Sequence, residues 1–118
     1  MSKPDLHDPL EMVSEKVFRQ QVMNAARSLD WWVYFTWSSL NSPRGFPDLV
    51  MLNPPRVVFA ELKTTKGKAS TWKIMKSGRW APGQVEWLET LRQCPGVETY
   101  LWTPRDWDEI NRVLGYDV

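Results

Sequence analysis

GFPDLVMLNPPRVVFAELK, residues 45–63, holds two short apolar runs on either side of a stiff turn. DLVML (48–52) and VVFAEL (57–62) are rich in β-branched and large apolar residues, and they predict two strands. NPPR (53–56) predicts the turn, because proline fixes its own φ and offers no ladder donor. Strands that follow each other this closely predict an antiparallel hairpin. Yet each run carries charge where a buried strand avoids it. Asp48 opens the first, and Glu61 with Lys63 closes the second. Side chains alternate faces along a strand, so Glu61 and Lys63 emerge together, roughly 7 Å apart along it. Hairpin pairing then brings Asp48 near Glu61.

The flanking segments predict a single α/β domain around this hairpin. Upstream, Phe18, Val22, Ala25, Ala26 and Leu29 share one helical stripe. Two starts are open for that helix: Asp8 with Pro9 and Glu11, or Ser14. Glu15 lies one turn before Phe18 on the same stripe. If this stripe packs on the face that bears Glu61, Glu15 joins the two strand acids. Val13 and Val17 point elsewhere and predict a helix covered on more than one side. WWVYFTW (31–37) predicts a strand and SSLNSPRG (38–45) a loop.

Downstream, residues 64–80 show no clear period and predict a long loop with at most one helical turn. PGQVEWLETLRQ, with Pro82 at its start and Gly96 after it, predicts a helix. Val85, Leu88 and Leu91 form its apolar side, and Gln84 is in line with Leu88 and Leu91. VETYLW (97–102) predicts a fourth strand. Thr103, Pro104 and Asp106 cap a last helix that carries Trp107, Ile110 and Leu114. The order αβββαβα contains a βαβ unit, so the third and fourth strands are expected to be parallel and the sheet mixed.

Composition narrows the class. At 118 residues the chain fits one domain, 1–118, with residues 1–7 as a loose tail. Charged residues make up 25%, and no apolar run approaches the length of a membrane span. The first residues lack the apolar core of a secretory leader. Cys94 is the sole cysteine, which excludes an internal disulfide and a cysteine zinc site and suits a reducing cytoplasm. Its expected role is packing near a helix end. His7, the sole histidine, falls in the tail, so a histidine base is not expected. No phosphate-binding glycine motif is present.

The net charge of +1 hides a strong local asymmetry. Lys63, Lys66, Lys68, Lys73, Lys76 and Arg79 fall in a stretch without an acid, whereas residues 84–118 hold seven acids against three arginines. The basic loop follows the charged strand end directly, where it could meet phosphates through sequence-blind contacts. Arg44 and the serines of the preceding loop could add to them. Most of the eight tryptophans are expected in the core, and Trp72 and Trp80, beside the lysines, could stack on bases.

Three carboxylates in a poorly solvated cleft repel one another and resist ionisation. A divalent cation removes that conflict. Carboxylate oxygens with a carbonyl, such as that of Leu62, suit magnesium or manganese. Such a metal, with a lysine beside it, serves phosphodiester hydrolysis. Each piece alone has an ordinary explanation: a surface ion pair, a turn, a carboxylate complementing a helix dipole. Their joint order is the specific signal.

That order, GFPDLVML…VVFAELK…APGQVEWLETLR, resembles the VRR-NUC branch of the PD-(D/E)xK nucleases, from about Glu15 to Trp102. The ending YLWTPRDWDEI resembles small phage-type members. The resemblance implies a restriction-endonuclease-like αβββαβ core with an extra C-terminal helix, and metal-dependent DNA cleavage. On this reading Asp48 and Glu61 bind magnesium or manganese, Glu15 completes the shell, Lys63 is the catalytic lysine and Gln84 orients groups around the site. Stand-alone members similar to Holliday-junction resolvases imply a homodimer, branched or flap DNA as substrate, and the cytoplasm of a bacterial or phage-infected cell. The segment 66–79 departs from the pattern, separating the E-x-K strand from Gln84 by more than a compact core needs. Two other readings stay open: a non-catalytic nucleic-acid-binding module with this fold, and a structural protein whose Glu61–Lys63 pair is decorative.

Overall fold

A computed structural model describes residues 9–36 and 45–116. The first helix, α1 (Glu15–Ser28), begins at the second of the two expected starts. The Ser14 hydroxyl accepts the Val17 N–H at 3.1 Å, satisfying one of the donors a helix N-terminus leaves unpaired. Residues 9–12 form a turn instead of helix, and Asp8 lies outside the described residues. Phe18, Val22, Met23 and Ala26 are buried along the stripe, and Val13 packs at its margin. Val17 is half-exposed, so that side of the helix is not covered as expected.

Strands β1 (Trp32–Phe35), β2 (Leu49–Asn53), β3 (Arg56–Leu62) and β6 (Val97–Trp102) form one sheet in the order β1-β2-β3-β6. The first two pairings are antiparallel and β3–β6 is parallel, so the sheet is mixed and the molecule is α/β. The expected strand 31–37 is shorter, and Trp37 lies outside the described residues. Helix α2 (Gln84–Arg92) links β3 to β6, and a short 3-10 turn (Pro104–Asp106) leads into α3 (Trp107–Leu114). Thr103 opens that turn, its hydroxyl accepting the Arg105 N–H at 3.2 Å. Among the described residues no helix is long and apolar enough to cross a membrane.

Alternation sorts the sheet's two faces. Leu49, Met51, Val58, Ala60, Leu62 and Trp102 join the stripe of α1 and Ile110 and Leu114 of α3 in one core. The Trp31 indole N–H donates to the Leu114 carbonyl at 2.9 Å, tying the end of α1 to the end of α3. On the other face, Phe46 meets the rings of Phe59 and of Trp87 on α2 edge to face. At the start of β3, Arg56 donates twice to Glu98 at 2.7 Å and once to the Val113 carbonyl, with its guanidinium over the Trp31 ring.

The segment 64–80 corrects the expectation of an irregular loop. It contains a hairpin, β4 (Lys73–Ile74) against β5 (Trp80–Ala81). Gly78 has φ +85° and donates to the Met75 carbonyl at 2.8 Å, while the Met75 N–H donates to Arg79. Such a short glycine-containing loop is a standard hairpin closure. Cys94 is exposed beyond the end of α2, not packed as expected.

Candidate metal centre

Beyond Leu49 and Ala60, the last β2–β3 pair, the ladder stops. Continuing the register by one step sets Asp48 opposite Glu61. There the Asp48 carboxylate, not a backbone carbonyl, accepts the Leu62 N–H at 2.9 Å. In an extended strand the carbonyl of a residue leaves on the same edge as its N–H, so the Leu62 carbonyl faces this end of the sheet too.

Glu61 leaves β3 on the face of Phe59 and α2, whereas α1 packs on the opposite face with Val58, Ala60 and Leu62. The expectation that the Phe18 stripe packs on the Glu61 face is therefore corrected. Glu15 reaches Glu61 all the same, because the acids meet at the sheet end where β2 and β3 have stopped pairing. One carboxylate oxygen each from Glu15, Asp48 and Glu61 lie within 4.8 Å of one another. Glu15 is the first residue of α1, one turn before Phe18, so the packing of Phe18 fixes its place.

Glu61 is fully buried, and neither carboxylate oxygen has a hydrogen-bond partner. Burial, then the hydrogen bond to Asp48 that a shared proton would make and the Asp48 charge, push its pKa up to about 10; Lys63 opposes this and Glu15 adds to it. Two ionised carboxylates have no proton to share, so the Glu61–Asp48 bond exists only once one of them is protonated. A divalent cation does the same work without a proton. Ligands of an octahedral magnesium stand about 3 Å apart when adjacent and about 4 Å apart when opposite, given bonds of roughly 2.1 Å, so the acids would close by up to about 2 Å around an ion. Three carboxylates and a carbonyl form an all-oxygen set suited to magnesium or manganese.

Lys63 follows on the same side of β3 as Glu61, and its backbone N–H donates to the Trp102 carbonyl at 2.9 Å. Gly67 sits so close that a Cβ there would come within 3.1 Å of the Lys63 Cβ. The loop thus runs along the stem of the lysine. Gln84 is the first residue of α2, and its side-chain carbonyl accepts the Ser70 N–H at 2.9 Å. In this structure it holds the loop.

A junction at the root of the hairpin escaped the sequence reading. Gly83, at the N-cap of α2, has no side chain to satisfy the first turn. Ser70 does so from the loop: its hydroxyl accepts the Gln84 N–H at 3.1 Å and its carbonyl the Val85 N–H at 2.9 Å. Glu86 accepts from the Gly83 N–H and the Thr71 hydroxyl. Gly45 of G-x-P-D, at φ +82°, packs on the Gly83 carbonyl carbon, where a Cβ would stand at 2.6 Å. Asp48, the loop and α2 are therefore held as one unit.

Of the basic residues, Lys66 lies 3.8 Å from Glu11, an acid that the tertiary structure brings to a stretch without any of its own. Lys68, Lys73, Lys76 and Arg79 are exposed and, among the described residues, have no ion-pair partner. Arg44 and His7 lie outside the described residues. No family model, no curated protein and no solved structure matches the chain.

Proposed function

We propose that the chain is a magnesium- or manganese-dependent DNA endonuclease on a restriction-endonuclease-like core, as its resemblance to the VRR-NUC branch implies. The observation that carries this reading is the Glu61 carboxylate, fully buried, without a partner, beside Asp48 and Glu15. An acid buried in this way either holds a proton or is compensated by a cation. Asp48, Glu61, Glu15 and the Leu62 carbonyl are the ligands. When bound, the ion supplies a Lewis acid that makes water a better nucleophile near neutral pH and offsets charge on the phosphate under attack.

The chain's own residues do the rest. The Lys63 ammonium, a donor with no acceptor, holds the attacking water or a non-bridging phosphate oxygen at the end of the same strand. Gln84, released from or shared with Ser70, orients groups at the start of α2. Lys66, Lys68, Lys73, Lys76 and Arg79, with Arg44, contact the DNA backbone. The substrate is branched DNA, a four-way junction or flap, and paired cuts in a junction need two sites on a two-fold axis, hence a homodimer.

The test is direct. Labelled four-way junction, flap, duplex and single strand are incubated with each metal, and the cuts are mapped. Asp48→Ala, Glu61→Ala and Lys63→Ala are each expected to abolish cutting while DNA binding and the fold survive. Full cleavage in excess EDTA rules the reading out. Retardation of branched DNA with no nicking in either metal would favour a non-catalytic binding module on the same fold.

A further inference from the structure

The hairpin β4–β5 is one of two places, among the described residues, where exposed large aromatic side chains gather, the other being Trp32 and Tyr34 on β1, and it alone of the two is also basic. Every residue from Thr71 to Trp80 is exposed, yet Trp72, Ile74 and Trp80 are large and apolar, at 53%, 55% and 65% exposure. Ile74 pairs directly with Trp80, so both side chains lie on one face of the hairpin, and the same alternation carried one residue before the strand would put Trp72 there too. Lys73 pairs with Ala81 on the other face. Lys76 and Arg79 lie at the tip, around the Gly78 turn. One face is therefore aromatic, and the other face and the tip are basic.

Two-stranded ribbons of this length have no core of their own. This one is held at its root by the bonds of Ser70 and Thr71 to the start of α2, and the Gly83–Gly45 contact links that root to the segment of Asp48. A fold that exposes two indoles and an isoleucine on a fastened element keeps them for a partner. The partner would also meet Lys68, Lys73, Lys76 and Arg79, none of which has an ion-pair partner among the described residues. Unpaired nucleic acid meets both demands, with flat bases for the indoles and phosphates for the cations.

Resting on the nuclease reading of the adjoining site, we propose that the hairpin is a base-stacking finger. It takes unpaired DNA bases at a branch or flap on Trp72, Ile74 and Trp80, while Lys73, Lys76 and Arg79 hold the flanking phosphates. It thereby selects DNA with unpaired nucleotides over plain duplex.

The test compares affinities, in EDTA so that no cutting intervenes, for a duplex and for the same duplex with a single-stranded flap carrying 2-aminopurine at the first unpaired position. Wild-type protein is expected to prefer the flap and to alter the 2-aminopurine emission on binding. Trp80→Ala and Trp72→Ala are each expected to weaken flap binding roughly tenfold, with duplex affinity changed less than about twofold and the melting temperature unchanged. Trp80→Phe should restore part of the preference. Lys76→Ala should weaken both DNAs alike and flatten the salt dependence. Equal loss on flap and duplex, an unchanged flap preference in the double tryptophan variant, or conversion of a dimer to monomer by these substitutions overturns the finger. If wild-type protein cuts DNA and the preference survives in the variants, the finger alone fails; if wild-type protein binds no DNA at all, the nuclease reading fails with it.

Discussion

Glu61 sits one position beyond the last β2–β3 pair, and that step decides its protonation. Past the β2–β3 ladder but still paired with Leu101 of β6, its fully buried carboxylate meets no hydrogen-bond donor. With its pKa raised to about 10 against an ordinary 4.5, the folded state holds a proton that the unfolded chain releases above about pH 4.5. Folded protein therefore binds more protons over that window, and metal-free stability falls as pH rises through it. Glu61→Gln keeps the shape and removes the charge. It is expected to stabilise metal-free protein by up to about 3 kcal/mol at pH 7 and by almost nothing at pH 4, measured by urea unfolding at both. No difference between the two pH values would show that Glu61 is ionised and compensated some other way. At this scale the sequence named Glu15, Asp48, Glu61 and Lys63, because strand alternation and helical spacing are local rules. The full burial of Glu61 and the Asp48 bond to Leu62 depend on where the ladder ends, which no local rule gives.

Among the elements, the junction of β2, α2 and the hairpin is held by backbone contacts. Gly83 meets the Ser70 carbonyl group where a Cβ would stand at 2.6 Å. Gly83→Ala is expected to cost about 1–3 kcal/mol, as overpacking does, and to loosen the hairpin root, seen as faster amide exchange at Gln84 and Val85. Ser70→Ala removes the hydroxyl that caps α2 and should cost about 1 kcal/mol in chemical unfolding. The hairpin was partly legible in the sequence. Lys-Ser-Gly, residues 76–78, between apolar-basic alternations is a turn signal. Two-residue strands are too short for a period to stand out. The cap was not legible, because Ser70 and Gln84 are 14 residues apart.

At the scale of the whole molecule, two charged ends of β3 oppose each other in pH. At one end, Arg56 holds Glu98 below its ordinary 4.5, stability that is present above that pH and lost as pH falls. At the other, Glu61 loses stability above it. Metal-free protein is expected to be most stable near pH 5, read from a series of thermal melts. Magnesium or manganese at about 100 times its Kd should add about 2.7 kcal/mol at pH 7 and shift that optimum upward, an increment absent in Glu61→Gln. An optimum unmoved by either metal would count against a cation at the three acids. Sedimentation of the metal-loaded protein should show dimer; monomer alone leaves a nickase or flap cutter rather than a resolvase.

The sequence by itself determined the four strands of the mixed sheet, the main helices and their order, and singled out Glu15, Asp48, Glu61 and Lys63, because periodicity, turn chemistry and the βαβ rule act over a few residues at a time. Only the tertiary structure decided that α1 packs on the face opposite Glu61, that the acids meet where β2 and β3 stop pairing, and that the basic segment 64–80 is a fastened hairpin with an aromatic face. Those outcomes turn on which surfaces exclude water together and on bonds between residues distant in the chain, and no window of sequence contains both partners.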